Sequence, residues 1–202
     1  MITQQQKRNR RLIIGIFAMS IIPFSIAWYL AKHPSLLTRA PTNHGELITP
    51  IITTERSDFE GFDLFSKNNI QELPAHWLIV NVIAHADCID SCLDAIHKSR
   101  QLRLMLNKEL VRTRRAVLVL DNSVSQEKAA TWWQQDDTDL LHLKPSVGVI
   151  EKLNALYNGA IPEGVLLFID PLGNIMMRYA PDFNPYDAKS DLMHLLKISQ
   201  IG

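Results

Sequence analysis

The sequence predicts an α/β domain, a parallel sheet with an antiparallel edge, carried behind a single membrane-spanning helix. Three observations predict it. Residues 12–31, LIIGIFAMSIIPFSIAWYLA, are twenty positions without a charge. At ~1.5 Å rise per residue, a helix of that length crosses a hydrocarbon core of about 30 Å. Residues 76–84, HWLIVNVIA, form a nearly continuous β-branched apolar run, the pattern of a strand buried on both faces. From there to the end, helix-like and strand-like stretches succeed one another, and the last strands turn back on each other.

The charge distribution supports the division. Lys and Arg number 21, Asp and Glu 21, and the net charge is zero. That balance argues against a general nucleic-acid binder, which needs excess cations to displace counterions from phosphates. A 47% hydrophobic share and 21% charged residues exclude wholesale disorder, and two cysteines in 202 residues exclude a disulfide-stapled miniprotein. Residues 1–11, MITQQQKRNRR, hold Lys7, Arg8, Arg10 and Arg11 and no acid, so a +4 arm is followed by a remainder of −4. The positive-inside rule places this arm in the cytoplasm and residues 32 onward outside it. Trp28 and Tyr29 fall near the far end of the span, where amphipathic rings prefer the headgroup layer. Pro23 would kink the helix, which membranes tolerate. Two other readings compete with the anchor. A cleaved signal peptide has a shorter apolar stretch of about 7–15 residues, and the small-x-small triplet Ser25-Ile26-Ala27 lies inside the run rather than after it. A buried core helix would not be uniformly apolar for twenty positions behind four cations.

Residues 32–45 contain Pro34 and Pro41 and no apolar period, which predicts a linker ahead of a domain at 46–202. Residues 47–54 and 59–65 have β character and predict a small N-terminal hairpin. After the strand at 76–84, residues 88–110 predict a long helix, because Cys88, Cys92, Ala95, Ser99, Leu102 and Leu106 fall on one stripe at helical spacing, with Asp87 as N-cap. A strand at 116–120, a helix at 125–135 capped by Ser123 or Ser125, a short strand at 140–143 and a helix at 146–157 follow. The last of these ends at Asn158-Gly159, a good C-terminal cap. A strand at 165–169, the turn Asp170-Pro171-Leu172-Gly173, a strand at 174–179 and a helix at 186–198 close the domain.

The chemistry-bearing motif is Cys88-Ile-Asp-Ser-Cys92. Spaced by four at a helix start, the two thiols lie on one face, one turn apart. The positive end of the helix dipole would favour a Cys88 thiolate, and Asp87 and Asp90 would oppose it. Two such thiolates can clamp a soft ion such as Cu(I), or form a disulfide if the first turn loosens. A cysteine pair between the first core strand and the first long helix is the layout of the thioredoxin superfamily. The predicted fold is therefore thioredoxin-like, with an N-terminal β-hairpin extension and a single transmembrane helix before it.

The segments HWLIVNVIAHADCIDSC and FIDPLGNIMMRY resemble the Sco/SenC family, membrane-anchored thioredoxin-fold proteins that help load copper into cytochrome c oxidase. More narrowly, the chain resembles divergent Sco-like membrane proteins that accompany oxidase assembly genes in proteobacteria. The resemblance implies copper on Cys88 and Cys92, a cytochrome c oxidase subunit or other assembly factors as partner, and an inner-membrane anchor with the domain in the periplasm. Two departures stand out. The prolines that typically follow each family cysteine are here Ile89 and Leu93. The family's third ligand, a histidine ahead of the Asp-Pro turn, maps onto Pro162, and no histidine lies between His142 and His194. Pro162 instead resembles the cis-proline that thioredoxins place against the redox cysteines. His85, three residues before Cys88, is the next candidate ligand. His97 points about 160° away from the cysteine stripe and reads as solvated. Without a nitrogen ligand, Cu(II) would bind weakly.

Other features have plainer readings. Arg100, Arg103, Arg112, Arg114 and Arg115 suit a solvated helix end and strand approach, or a basic patch for an acidic partner or lipid. Trp132-Trp133 reads as one core and one partly exposed residue, and Asp136, Asp137 and Asp139 as a hydrated turn. No phosphate loop or dinucleotide fingerprint is present. Three functions are consistent with the sequence: an oxidase assembly factor handling copper or thiols, a metal-free thiol-disulfide oxidoreductase, and a non-catalytic anchored scaffold with an inert bridge. Enzymatic activity in the strict sense is expected only under the second.

Overall fold

A computed structural model describes residues 4–33, 42–132 and 137–199, and the chain divides into two units, Met1–Thr42 and Asn43–Gly202. The described part of the first unit contains one helix, α1 (Gln4–Lys32), of 29 residues with Pro23 inside it. Its apolar stretch has a mean hydropathy of 2.0 and is unburied, so by length and composition it can cross a membrane. At its end the Lys32 ammonium lies 4.9 Å from the centre of the Trp28 ring, and the rings of Tyr29 and His33 are 4.5 Å apart.

The second unit is built on a seven-stranded sheet. Its strands are β1 (Glu46–Thr53), β2 (Phe59–Gly61), β3 (Trp77–Ile83), β4 (Thr113–Val119), β5 (Leu140–Pro145), β6 (Leu166–Ile169) and β7 (Asn174–Tyr179). They lie in the order β1-β7-β6-β3-β4-β5-β2. β3, β4 and β5 are parallel, β6 runs antiparallel to β3, and β7 antiparallel to β6. Every residue of β3 is buried, as its unbroken apolar run requires. Leu78, Val80 and Val82 face one core with Val149 and Leu153, while Trp77 and Ile79 face another with Leu102, Phe168 and Leu192.

The helices of this unit are α2 (Leu64–Asn69), α3 (Ser91–Leu104), α4 (Gln126–Ala129), α5 (Val147–Leu156) and α6 (Pro185–Ile198). Ser125 caps α4, Ser146 caps α5 and Asn184 caps α6, each side chain accepting a first-turn amide. The helix expected at 125–135 is one turn long, and residues 133–136, including Trp133 and Asp136, lie outside the described residues. Trp132 is buried.

The expected N-terminal hairpin does not form. β1 pairs with β7, Glu46 opposite Arg178, and β2 pairs with β5, Phe59 opposite Pro145, so the two occupy opposite edges of the sheet. Their connection is pinned at both ends. The Thr54 hydroxyl donates to the Gly173 carbonyl at 2.6 Å, and the Ser146 amide and hydroxyl donate to Asp58 at 2.7 and 2.8 Å.

The arginines are not an open basic patch. Arg115, 2% exposed, donates twice to Asp137 at 2.8 Å and also to the Ile96 carbonyl at 3.0 Å. Arg103 bonds Asp139 at 3.2 Å, Arg112 bonds Glu109 at 3.0 Å, and Arg114 bonds Glu72 at 2.5 Å. Arg100 lies 3.9 Å from Asp137. The Asp137 side chain is only 7% exposed, so this is no hydrated turn residue.

His44 and Gly45, assigned to the linker from sequence, are packed into the folded unit. The buried Asp191 on α6 accepts from the His44 amide at 2.7 Å, the Gly45 amide at 2.9 Å and the Tyr179 hydroxyl at 2.5 Å. Burial alone would raise the Asp191 carboxyl, but these donors outweigh it and hold it below the ordinary carboxylate value. Tyr179 is pushed up in turn, first by burial and then by Asp191.

Two outcomes follow, both measured by denaturant unfolding of the full chain in micelles. Asp137→Ala strands the Arg115 charge in the interior and costs about 3–5 kcal/mol, more than replacing both partners by apolar residues. Because the Asp191 carboxyl is depressed in the fold, the unfolded chain binds more protons as pH drops, and its stabilisation, full at neutral pH, fades below about pH 4. Asp191→Asn is accordingly less stable than the parent at neutral pH and loses less stability on acidification.

Candidate functional site

β3 delivers the chain to the cysteines. Cys88 and Cys92 form a disulfide, with Cα atoms 5.3 Å apart. Both are buried, at 2% and 0% exposure, in a cluster with Phe62, Ile83, Val117, Val124 and Trp132. Ile89 and Leu93, next in sequence to the cysteines, are exposed.

The helix expected from Cys88 begins instead at Ser91, and Asp87 does not cap it. The Cys92 amide donates to the Ile89 carbonyl at 2.9 Å, closing a turn across the disulfide. Asp90, second in that turn, has φ 40° and ψ −100°, near the values of a type II′ turn, where glycine is favoured. A residue in that conformation cannot continue a helix, so the bonded pair keeps residues 88–90 out of α3. Asp87 pairs instead with Lys128 of α4 at 2.5 Å.

On the other side the segment before β6 presses against the pair. Gly164 has φ +79°, and a Cβ there would come within 2.9 Å of the Ala95 Cβ and 3.0 Å of the Cys92 Cα. Its amide donates to the Val82 carbonyl at 2.9 Å. The preceding Glu163 accepts from the Ala84 amide at 3.2 Å and the His85 amide at 2.6 Å, and its Oε1 also bonds His85 Nδ1.

These contacts rearrange the expected site. Pro162 is not a cis-proline against the cysteines. Among the described residues the cis peptide is Thr49–Pro50, and Pro162 is exposed, lining a groove of about 470 Å³ with Tyr157, Tyr179 and Phe183. The backbone that meets Cys92 is Gly164, which can approach because it has no side chain. His85 is 71% exposed and its Nδ1 is held by Glu163. His97 is exposed and bonds Gln101 at 2.9 Å. Among the described residues, no three His, Cys, Asp or Glu side chains converge as a metal site. The donors near the pair are two sulfurs bonded to each other, a set that does not fit a copper centre completed by nitrogen. Sequence reasoning missed Glu163 and Gly164. A lone glycine just before a core strand was the only signal for the second, and the first had none.

The fold and the placement of the cysteine pair define a thioredoxin-like protein, and its apolar N-terminal helix fits a single-pass membrane anchor. A family described as transmembrane-like, thioredoxin-like, C-terminal domain matches residues 77–199, more than half of the chain, and the chain belongs to that family. Among solved structures it is similar to apo Sco1 from Thermus thermophilus, at 13% identity and a TM-score of 0.54 over 78% of this chain and 99% of that one. It is also similar to Arabidopsis thaliana ScoI solved with copper bound, at 14% identity and a TM-score of 0.51 over 64% and 88%. A third is BsSco, described as a member of the Sco family of cytochrome c oxidase assembly proteins, at 15% identity and a TM-score of 0.50 over 80% and 98%. At these identities the likeness is one of fold, the thioredoxin-like fold that the sequence predicted. No curated protein matches the chain by sequence.

Asp90→Gly removes the backbone strain at the turn and raises the stability of the oxidised chain by about 1 kcal/mol. Denaturant unfolding of the oxidised protein in micelles measures it.

Proposed function

We propose that this chain is a membrane-anchored, Sco-like thiol-disulfide protein whose redox pair is Cys88 and Cys92 and whose substrates are cysteines of a partner protein. The observation that carries this reading is the disulfide itself, held between the end of β3 and the first turn of α3, where no described nitrogen donor completes a metal site. In the reduced chain the Cys88 thiolate attacks a partner disulfide, forming a mixed disulfide and releasing one partner thiolate. Cys92, deprotonated, attacks the Cys88 sulfur, closes the 88–92 bond and releases the second partner thiolate. Two electrons and two protons pass to the partner. Cys88 takes the attacking role because it lies on the loop, whereas Cys92 is in α3 beneath Gly164.

The partner we infer is a subunit or another assembly factor of cytochrome c oxidase. This rests on the likeness to BsSco and on the sequence resemblance, as does placement in a bacterial inner membrane with the domain in the periplasm. The +4 arm supports that orientation. Copper takes no part in the steps above. The second reading, Cu(I) held by the reduced pair, is favoured by the two sulfurs' common position and by the copper-bound Arabidopsis relative.

The full chain in micelles, equilibrated in glutathione buffers and scored by thiol alkylation, tests this. A reduction potential between about −270 and −120 mV is expected, the range of exchange proteins. A potential well below about −300 mV makes the bridge inert and refutes the proposal. Tight one-to-one Cu(I) binding by the reduced chain, lost in Cys92→Ser, replaces it with the copper reading.

A further inference from the structure

We propose that Glu163 is the positioning residue of the dithiol, holding the base of the Cys88 loop in register with Cys92. The inference rests on the thiol-exchange reading and adds a residue to it.

One short segment touches both the base of the Cys88 loop and the Cys92 backbone. The Glu163 carboxylate takes the amides of Ala84 and His85, just beyond β3, and the His85 ring. Its neighbour Gly164 lies on the Cys92 backbone. Gly164 is tied to the sheet by its amide on Val82 and by its carbonyl, which accepts from the buried Asn81 side chain at 3.4 Å. While the disulfide is closed, the bond alone fixes the distance between the sulfurs. Once it opens, Cys88 is held by its packing in the apolar cluster and by what anchors residues 84–90.

Among the described residues, and beside that packing, two polar anchors reach the loop from distant parts of the chain. Asp87–Lys128 is an ion pair at 70% and 43% side-chain exposure, and such exposed pairs contribute little. Glu163 is only 20% exposed and bonds backbone amides as well as a ring, contacts that are charge-assisted and stronger. The consequence is specific. Glu163 keeps the two thiols close in the reduced state and so raises the effective concentration of one toward the other.

The test uses the full chain in micelles and reads the equilibrium between dithiol and disulfide in glutathione buffers. Glu163→Ala lowers the equilibrium constant for closing the disulfide about tenfold, the effect of losing a charge-assisted hydrogen bond. Glu163→Gln, whose amide oxygen still accepts, restores most of it, and Lys128→Ala changes it less than twofold. Hydrogen exchange at the Ala84 and His85 amides rises in Glu163→Ala. A merely structural role would lower the unfolding midpoint and leave the disulfide equilibrium where it was. An unchanged equilibrium in Glu163→Ala, with the wild-type disulfide opening normally, overturns the positioning role alone, as does unchanged amide exchange. A wild-type disulfide that glutathione cannot open in the folded chain overturns the thiol-exchange reading and, with it, this role for Glu163.

Discussion

The burial of β3 on both faces is the constraint on which the rest of the domain depends. A strand with no exposed residue must have neighbours on both edges and helices on both faces, and β4, β6, α3 and α5 supply them. Because β4 is parallel to β3, the chain must cross over between them, and α3 is that crossover. Because β6 is antiparallel, the residues entering it must lie where β3 ends. The loop that carries Cys88 and the segment Glu163-Gly164 therefore meet at one end of one strand, although some eighty positions separate them. The carboxylate bonds to Ala84 and His85 and the Gly164 contact with Cys92 are consequences of strand direction.

Charge is handled inside the folded unit by pairing. Arg115 and Asp137 are both nearly excluded from water, and the ion pair joins β4, through the Ile96 carbonyl and Ser99, to α3. Burial pulls the Arg115 guanidinium below its ordinary value, with Asp137 acting against it. Buried His142 behaves alike: burial lowers it, and the bond to Asp63 offsets part of that. The zero net charge of the chain thus combines two different situations. One is an arm of cations without acids, and the other a domain in which Arg103, Arg112, Arg114 and Arg115 are bound to carboxylates.

What was legible in the sequence was whatever a local pattern encodes. The run 76–84 marked β3, serines before apolar stretches marked the starts of α4 and α5, and Asn158-Gly159 marked the end of α5, where both residues have positive φ. The cysteine spacing marked the two residues that the fold brings within bonding distance. What was not legible depends on partners distant in the chain. Residues 47–54 and 59–65 look like a hairpin because each has β character and they are close in sequence, yet each finds a free edge elsewhere. The start of α3 misled for a different reason. The stripe through Cys88 and Cys92 is helical in pattern, but a covalent bond between its first two members overrides propensity over three residues. Glu163 carries no pattern at all, since its role comes from which amides the fold brings to it.

The choice between metal and electrons turns on the same neighbourhood. A soft ion held by two thiolates and one imidazole needs all three donors to converge, and each histidine on hand has a physical reason not to. His85 is turned to Glu163, His97 to Gln101, and the place that resemblance assigns to a third ligand is Pro162, which has no donor side chain and faces the groove beside Tyr157. Two sulfurs without nitrogen retain the chemistry that needs nothing more than each other, the exchange of a shared bond for two thiols. In that chemistry the protein's contribution is distance and access. In the exchange proposed here, Gly164 on the Cys92 backbone and Glu163 on the Ala84 and His85 amides serve the first, and Ile89 and Leu93, next in sequence to the cysteines, are exposed.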